Sequence, residues 1–402
     1  VPAALSIYTM TDKTKIEPTT PIIVNRWLTI VLYLSAVFLF WMAQYIYLPT
    51  LPTYIQSKTS NLALVGMVLS MYGLWQAIIR LPLGIVTDWV GWRKPFVLVG
   101  LALAGLGAWI MGTADNVNGL AIGRAITGLA AGTWVPLVVG FSGLFPPQEA
   151  VKASALLTLC NSIGRMLATS ITGSLNEWGG YTLAFYAAMA LATLSVLVML
   201  IVHEPRRQPL RPSASSLVNL TMRRDVLVPA LINAVGQYAS WGISFGFMPV
   251  LVKQLGGTGV TQSLFMTLNI ATLALGNLGT TWMANRIGAR QLVRLGFGLL
   301  FIGIGMAALA PKISMLLAAQ ICMGLALGVI YPTLMGMSIR YVANIERTTA
   351  MGLHQAVYAI GMFAGPALSG KLADAIGLQP MMGLTAFGCL AFGLLGTLWI
   401  SH

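Results

Sequence analysis

Apolar runs of membrane-crossing length follow one another along almost the whole chain, separated by short polar breaks. A bilayer's hydrocarbon layer takes roughly 20 helical residues per crossing. On that measure the pattern predicts twelve spans, near 27–49, 64–86, 95–113, 118–140, 153–175, 181–201, 226–252, 260–283, 291–310, 314–338, 349–371 and 380–400. The expected fold is therefore an all-α membrane protein. The one long break, His203 to Arg224, is rich in Pro, Arg and Ser and reads as a linker. It divides the chain into a tail (1–26), a six-helix bundle (27–202), the linker (203–225) and a second six-helix bundle (226–402).

The two halves repeat each other. Adding 197 to the residue number takes Asp88 to Asn285, Gly91 to Gly288, Arg93 to Arg290, Gly164 to Gly361 and Gly173 to Gly370. An offset of 196 takes Arg124 and Pro136 to Gln320 and Pro332, and one of 200 takes Pro49 to Pro249. A duplicated bundle is the plan of many transporters, in which the halves face each other about a central site.

Composition agrees with the spans: 57% of the residues are hydrophobic and 8% charged, which leaves no room for a large water-soluble domain. The 43 glycines and 19 prolines suit packed membrane helices, where neighbours satisfy freed backbone groups. A net charge of +13 raises the question of nucleic acid. The positions of the cations exclude it. Sixteen of the 23 Lys and Arg lie on one set of alternate connections, and only Lys58, Lys253, Lys312 and Lys371 on the other. That asymmetry is the positive-inside pattern, and it places both termini in the cytoplasm. The cysteines all fall in apolar runs, with no disulfide or metal-ligand spacing. No phosphate-binding loop and no nucleophile, base and orienter set is present, so neither an ATP-driven pump nor an enzyme is expected.

Between the second and third spans stands Gly84-Ile-Val-Thr-Asp88-Trp-Val-Gly91-Trp-Arg93-Lys94. This G-x-x-x-D-x-x-G-x-[RK]-[RK] loop resembles the cytoplasmic signature of the major facilitator superfamily. The partial copy Asn285, Arg286, Gly288 and Arg290 repeats it in the second half. Asp88 can pair with Arg93 or sit at a helix N-terminus, where the backbone dipole favours a carboxylate. The resemblance implies that this helix is the eleventh span and that the contact closes the cytoplasmic side. Trp89 and Trp92 depart from the family's basic residues there, and Arg286 is expected to compensate. Arg124-x-x-x-Gly128-x-x-x-Gly132 resembles the family's fourth-span motif, whose arginine serves proton relay or holds the cavity open; a structural arginine on backbone carbonyls is the alternative. Gly361, Gly365, Pro366 and Gly370 keep the antiporter-type G-x-x-x-G-P-x-x-x-G pattern, which small-residue helix packing also explains.

Arg165 lies midway along the fifth span, with Asn161 and Thr169 one turn to either side. An arginine facing lipid is costly, so this stripe is expected to line a central cavity. Arg80, nearer the cytoplasmic end, is read as reaching back to the interface. All ten acids fall in tails, loops or span ends. A cavity with embedded arginines and no carboxylate favours anionic or neutral cargo. Gln44, Gln237, Trp241 and Tyr358 complete the expected substrate contacts. His354 is either a proton site or a neutral hydrogen-bonding group, and Arg124 is the second proton-coupling candidate. The expectation is a monomeric secondary transporter of the cell membrane, without cofactor or metal. Its cargo is a small molecule, moved as a proton-linked export of amphipathic compounds or, alternatively, as an organic anion carried or exchanged by way of Arg124 and Arg165; a non-transporting membrane sensor on the same fold is the remote alternative.

Overall fold

The computed structural model describes residues 26–146, 149–204, 221–342 and 346–399. The expected tail up to residue 25 and residues 205–220 of the expected linker lie outside them, as does the side chain of Asn285. Among the described residues all regular structure is helical, in two six-helix halves. The first half holds α1 (Arg26–Gln56), α2 (Leu62–Val90), α3 (Lys94–Gly112) and α4 (Val117–Ser142). The helical run Ala150–Ile201 turns over at Gly179–Gly180, and its arms, 150–178 and 181–201, are α5 and α6. The second half holds α7 (Arg224–Gln254), α8 (Gly259–Ile287), α9 (Ala289–Ala308), α10 (Ile313–Ile339), α11 (Arg347–Ile376) and α12 (Leu378–Leu398).

Nine stretches of the described residues are both long and apolar enough to cross a membrane, and the α5–α6 run counts among them as one. The helices that fall short in apolarity are α8 and α11. Both carry polar residues mid-length, such as Gln262, Ser263 and Asn269 on one and His354 and Gln355 on the other, all of them buried. They face protein rather than lipid.

Two spans are irregular. Helix α1 tightens to a 3-10 turn at Leu48–Thr50 before resuming at Leu51, and α7 loosens to a π-helical stretch at Ser240–Phe247 before Met248. The first span thus runs to Gln56, past its predicted end at 49. Pro49, Pro52 and Pro249 each sit in the first turn of a new segment, where their missing N–H costs no hydrogen bond.

Local signals repeat with the sequence. Asn61 caps α2 by accepting from the Leu64 amide at 2.8 Å, and its counterpart Thr258 caps α8. Gly91 (φ 66°) and Gly288 (φ 80°) end α2 and α8, and Gly180 (φ 70°) and Gly377 (φ 92°) begin the turns into α6 and α12. Only glycine adopts these conformations cheaply.

The halves meet along two seams, α2 against α11 and α5 against α8. We call the end bearing Arg26, Lys94 and Arg223 the tail end and the opposite end the far end. At the far end backbones touch: a Cβ on Gly66 would collide with the Pro366 carbonyl and Gly370, and one on Gly173 with Val260. Four hydrogen bonds cross there. Thr53 bonds Gln262 at 3.1 Å, the Leu62 amide donates to Asp374 at 3.0 Å, the Gly173 amide donates to Ser263 at 2.7 Å, and Thr169 bonds Thr267 at 2.8 Å. Toward the tail end the first seam parts into a cleft bordered by Gly84, Val135, Pro136, Thr349 and Gly352. Three contacts near that end stay within a half: Arg26 with Glu149 (3.2 Å), the Lys94 amide with Glu204 (2.6 Å) and Arg223 with Asp225 (2.6 Å). The molecule is closed at the far end and faces the tail end.

If backbone contact at Gly66 holds the far end shut, Gly66→Leu should raise labelling of Ser70→Cys by a membrane-impermeant maleimide several-fold, in a background lacking the three native cysteines. Unchanged labelling would show that the seam does not rest on this contact.

Candidate functional site

Midway between the two ends, each half carries aromatic residues at equivalent positions of the repeat. Trp41 of α1 and Trp241 of α7 are counterparts at the 200 offset, as are Tyr45 and Phe245. Trp41 packs on Tyr45 (centroids 5.9 Å apart) and Trp134 (5.3 Å), and Trp241 packs on Phe245 (5.4 Å). Tyr72 of α2 crosses the divide and stacks on Trp241, with centroids 4.9 Å apart and planes 23° apart. Gln44 donates to the Thr127 carbonyl at 3.1 Å, while its Oε1 is buried without a partner. Gln237 lies on α7 one turn before Trp241 and is half-buried.

Onto these rings the first half places its cations. The Arg124 guanidinium lies 4.4 Å from the Tyr72 centroid and that of Arg165 lies 4.3 Å from the Tyr45 centroid. Arg124 is 1% exposed, and its Nε and Nη2 have no hydrogen-bond partner. Arg165 is less enclosed, with its Nε buried and unpartnered; Asn161, one turn away, has a buried Oδ1 in the same condition. Thr169, the third residue of that stripe, is used instead in the α5–α8 seam. The second half has no such charge. Gln320 and Asn269 occupy the positions equivalent to Arg124 and Tyr72, and the Asn269 amide donates to Gln320 Oε1 at 3.0 Å. Gln320 in turn donates to the Ser244 carbonyl at 3.4 Å. The centre is electrostatically one-sided: the first half carries two guanidiniums with unmet donors, and the second an amide pair bonded to each other.

His354 lies apart from this centre, inside the second half between α7, α10 and α11, and is fully buried. Both ring nitrogens have partners: Nδ1 lies 2.7 Å from the Ser338 hydroxyl, which is also 3.0 Å from the Val226 carbonyl, and Nε2 lies 2.8 Å from the Asn233 amide nitrogen. Tyr358, one turn along α11, packs edge-on against both His354 (6.0 Å) and Tyr331 (5.8 Å).

In the signature loop, Arg93 grips Asp88 at 2.7 Å, the first of the two expected arrangements. Asp88 and Thr349, at the start of α11, border opposite sides of the open cleft. Gly91 caps α2 through its left-handed turn, and Gly84 meets only Val135. The Lys94 ammonium is held by the Val202 carbonyl at 2.6 Å. In the partial copy, the Arg286 guanidinium stacks at 3.9 Å on Trp282 of its own helix, one turn away. Gly361 and Gly365 face the α7 backbone at Ala234 and Tyr238, and Pro366 and Gly370 face Gly66 across the seam. The G-P motif is thus a packing surface on two sides at once.

One reading of the sequence is overturned. Arg80 does not reach back to the interface: it is 3% exposed and bonds the Tyr358 hydroxyl across the seam at 2.9 Å. The signal was present in the sequence. Tyr72, Gln76 and Arg80 recur every four residues on one face of α2, and that face points at the other half. Trp41 and Ser338 were also passed over, each being an ordinary helix residue until its partner is known.

A sequence profile described as Major Facilitator Superfamily matches residues 33–234 and 230–402. Among curated relatives, the chain is 29% identical over 156 residues to inner membrane transport protein YajR of Escherichia coli (strain K12), covering 39% of this chain and 34% of that one. It is 24% identical over 252 residues to quinolone resistance protein NorA of Staphylococcus aureus (strain MRSA252), covering 58% of this chain and 64% of that one. Each match spans less than two thirds of the relative's length. Among solved structures, a bacterial homologue of the human lysosomal transporter Spinster, inward-facing and unoccupied, superposes with TM-score 0.78 at 14% identity, covering 93% and 97% of the two chains. The nucleoside transporter NupG gives 0.70 at 16%, covering 92% and 99%, and the human organic anion transporter MFSD10 gives 0.68 at 17%, covering 94% and 99%. At such identities the likeness is one of fold.

Removing the Ser338 hydroxyl leaves the buried Nδ1 of His354 without its hydrogen-bond partner. Ser338→Ala should therefore cost about 1–3 kcal/mol, read as a lowered melting temperature of the purified protein, and Ser338→Thr should restore most of it.

Proposed function

The chain belongs to the Major Facilitator Superfamily, and on that premise we propose that it carries small aromatic organic anions across the cell membrane by alternating access. It is a transporter rather than an enzyme, and an integral membrane protein. One observation carries the choice of cargo: Arg124 and Arg165 lie over tyrosine rings in mid-membrane with donors unmet, while no described carboxylate lies deep within a span. A buried guanidinium is costly without an anionic partner. In the empty protein tyrosine faces supply only part of that partnership through cation–π attraction. An aromatic carboxylate supplies the rest, placing its charge between the arginines and its ring among Trp41, Tyr45, Tyr72 and Trp241. Gln44, Asn161 and Gln237 offer hydrogen bonds that set its orientation, and Tyr358 stands on the path toward the tail end.

The charge asymmetry of the connections supports a cytoplasmic tail end, so the conformation described above faces inward. In the outward-facing state the loop Gly84–Lys94 and the start of α11 come together, and Asp88 meets the α11 N-terminus, closing the cleft. Asn285, Gly288 and Arg290 play the matching part for the second half. Gly361, Gly365 and Pro366 keep α11 close enough to α7 to move with it. A gradient drives the cycle, and the monomer is the working unit.

A second reading, proton-linked export of amphipathic drugs, is favoured by the similarity to a quinolone resistance protein over 58% of this chain. It needs a group that takes up a proton, and His354 with Asn233 can serve. Asn233 Oδ1 is buried without a partner, and a half-turn of the amide would present it to a protonated Nε2–H. Arg124 then answers the added charge from across the cavity.

On the anion reading, benzoate, salicylate or 1-naphthoate raises the melting temperature of the purified protein, because a ligand bound to the folded state stabilises it by mass action. Matched lipophilic amines should not, and Arg165→Gln should lose the effect while remaining folded. Stabilisation by the amines in parent and variant alike would reject it in favour of drug export. On that second reading, cargo efflux from proteoliposomes moves protons, and His354→Ala abolishes the proton movement but not downhill flux; coupled flux in His354→Ala removes the histidine from the mechanism.

A further inference from the structure

The polar face of α2 continues beyond the central site. Tyr72 lies under Arg124, Gln76 follows one turn later with its Oε1 buried and unpartnered, and Arg80 follows one turn after that. At about 1.5 Å per residue, Arg80 stands roughly 12 Å from Tyr72 along the helix, toward the tail end. Across the seam, α11 answers with Tyr358 and, three residues before it, Gln355, whose Oε1 is likewise buried and unpartnered. These polar groups of the two helices lie along the seam between the central arginines and the open cleft. Arg80 borders that cleft.

The bonding of Arg80 is incomplete in a particular way. It is 3% exposed, yet of its donors the structure assigns Nη1 to a neutral phenol and leaves Nε with no partner. Its guanidinium carbon lies 5.7 Å from the centroid of the same Tyr358 ring. The carboxylate bordering the cleft, Asp88, is held by Arg93 at 2.7 Å. A phenol oxygen is a weaker partner for a buried cation than a carboxylate, whose two oxygens match the guanidinium fork.

We propose that Arg80 is a second cargo-binding residue, which exchanges its hydrogen bond with Tyr358 for the carboxylate of an organic anion passing between the central site and the tail end. The proposal rests on the anion reading above and adds a relay position to it. The exchange gives the passage a consequence for motion. The Arg80–Tyr358 bond ties α2 to α11 on the tail-end side of the far-end seam, so cargo that takes its place loosens the halves where they must part for release.

The test uses the full chain in detergent and measures the affinity of whichever of benzoate, salicylate and 1-naphthoate binds best, together with that of its neutral alcohol analogue. Arg80→Gln should weaken carboxylate binding about tenfold or more, the loss expected when a charged hydrogen bond is removed, and leave the alcohol unchanged. Tyr358→Phe, which frees Arg80 from its competing acceptor, should tighten the carboxylate a few-fold. Equal losses for carboxylate and alcohol in Arg80→Gln, or an unchanged carboxylate affinity, would overturn the proposal. Should Arg80→Gln fail to fold, Tyr358→Phe decides, and an unchanged carboxylate affinity rejects the relay. If the parent binds no carboxylate, the anion reading itself fails and takes the relay with it; if the parent binds and Arg165→Gln does not, the anion reading stands whatever Arg80 does.

Discussion

A guanidinium in the middle of a membrane protein is the constraint around which this molecule is arranged. Arg124 cannot shed its proton, and at 1% exposure it cannot reach bulk water. Tyr72 beneath it supplies a quadrupole rather than a charge. Tyr72 must then be held still, and Trp241 from the opposite half holds it by stacking at 4.9 Å. The cation of one half is thereby stabilised by an aromatic platform that the other half completes. Any rocking of the bundles that separates Tyr72 from Trp241 changes the environment of Arg124; on the anion proposal this stack would tie cargo occupancy to conformation.

The far-end seam provides the opposite property, rigidity by close approach. Gly66 against Pro366 and Gly370, and Gly173 against Val260, leave no room for a side chain. Helices without side chains between them gain dispersion contacts along their backbones, which in lipid is the main source of helix association. The cross-half hydrogen bonds at Thr53, Leu62, Thr169 and Gly173 add direction to that contact. Among the described residues, the ion pairs at the tail end brace each half separately. A hinge tight at one end and braced within halves at the other suits rigid-body rotation better than local unfolding.

Much of this plan was legible in the sequence because it rests on one-dimensional signals. Span length, the alternation of basic connections and the 197-residue repeat each depend only on order along the chain. The caps Asn61 and Thr258 and the turn glycines Gly91 and Gly288 confirm the repeat in backbone detail. What escaped depends on which way a helix faces. Arg80 is near enough to a span end to reach the interface, and only the packing of α2 against α11 shows that its side chain points inward. For Arg286, its place in the repeat says nothing of the Trp282 ring one turn back, over which its guanidinium lies. For His354, the sequence does not show the partners that the fold brings to its ring, Ser338 and Asn233.

The broken symmetry of the centre bears on how alternating access can work with a duplicated bundle. Where the first half has Arg124 over Tyr72, the second has Gln320 bonded to Asn269, at the equivalent positions. An amide pair whose donors are already engaged has little affinity left for an anion. On the anion proposal, the cargo's charge therefore stays with the first half throughout the cycle, while its aromatic body exchanges contacts with Trp241 and Phe245 as the second half moves. Charge recognition and gating would then be divided between the halves. A symmetric site with a guanidinium on each side would hold the anion across the seam and resist the separation that release requires.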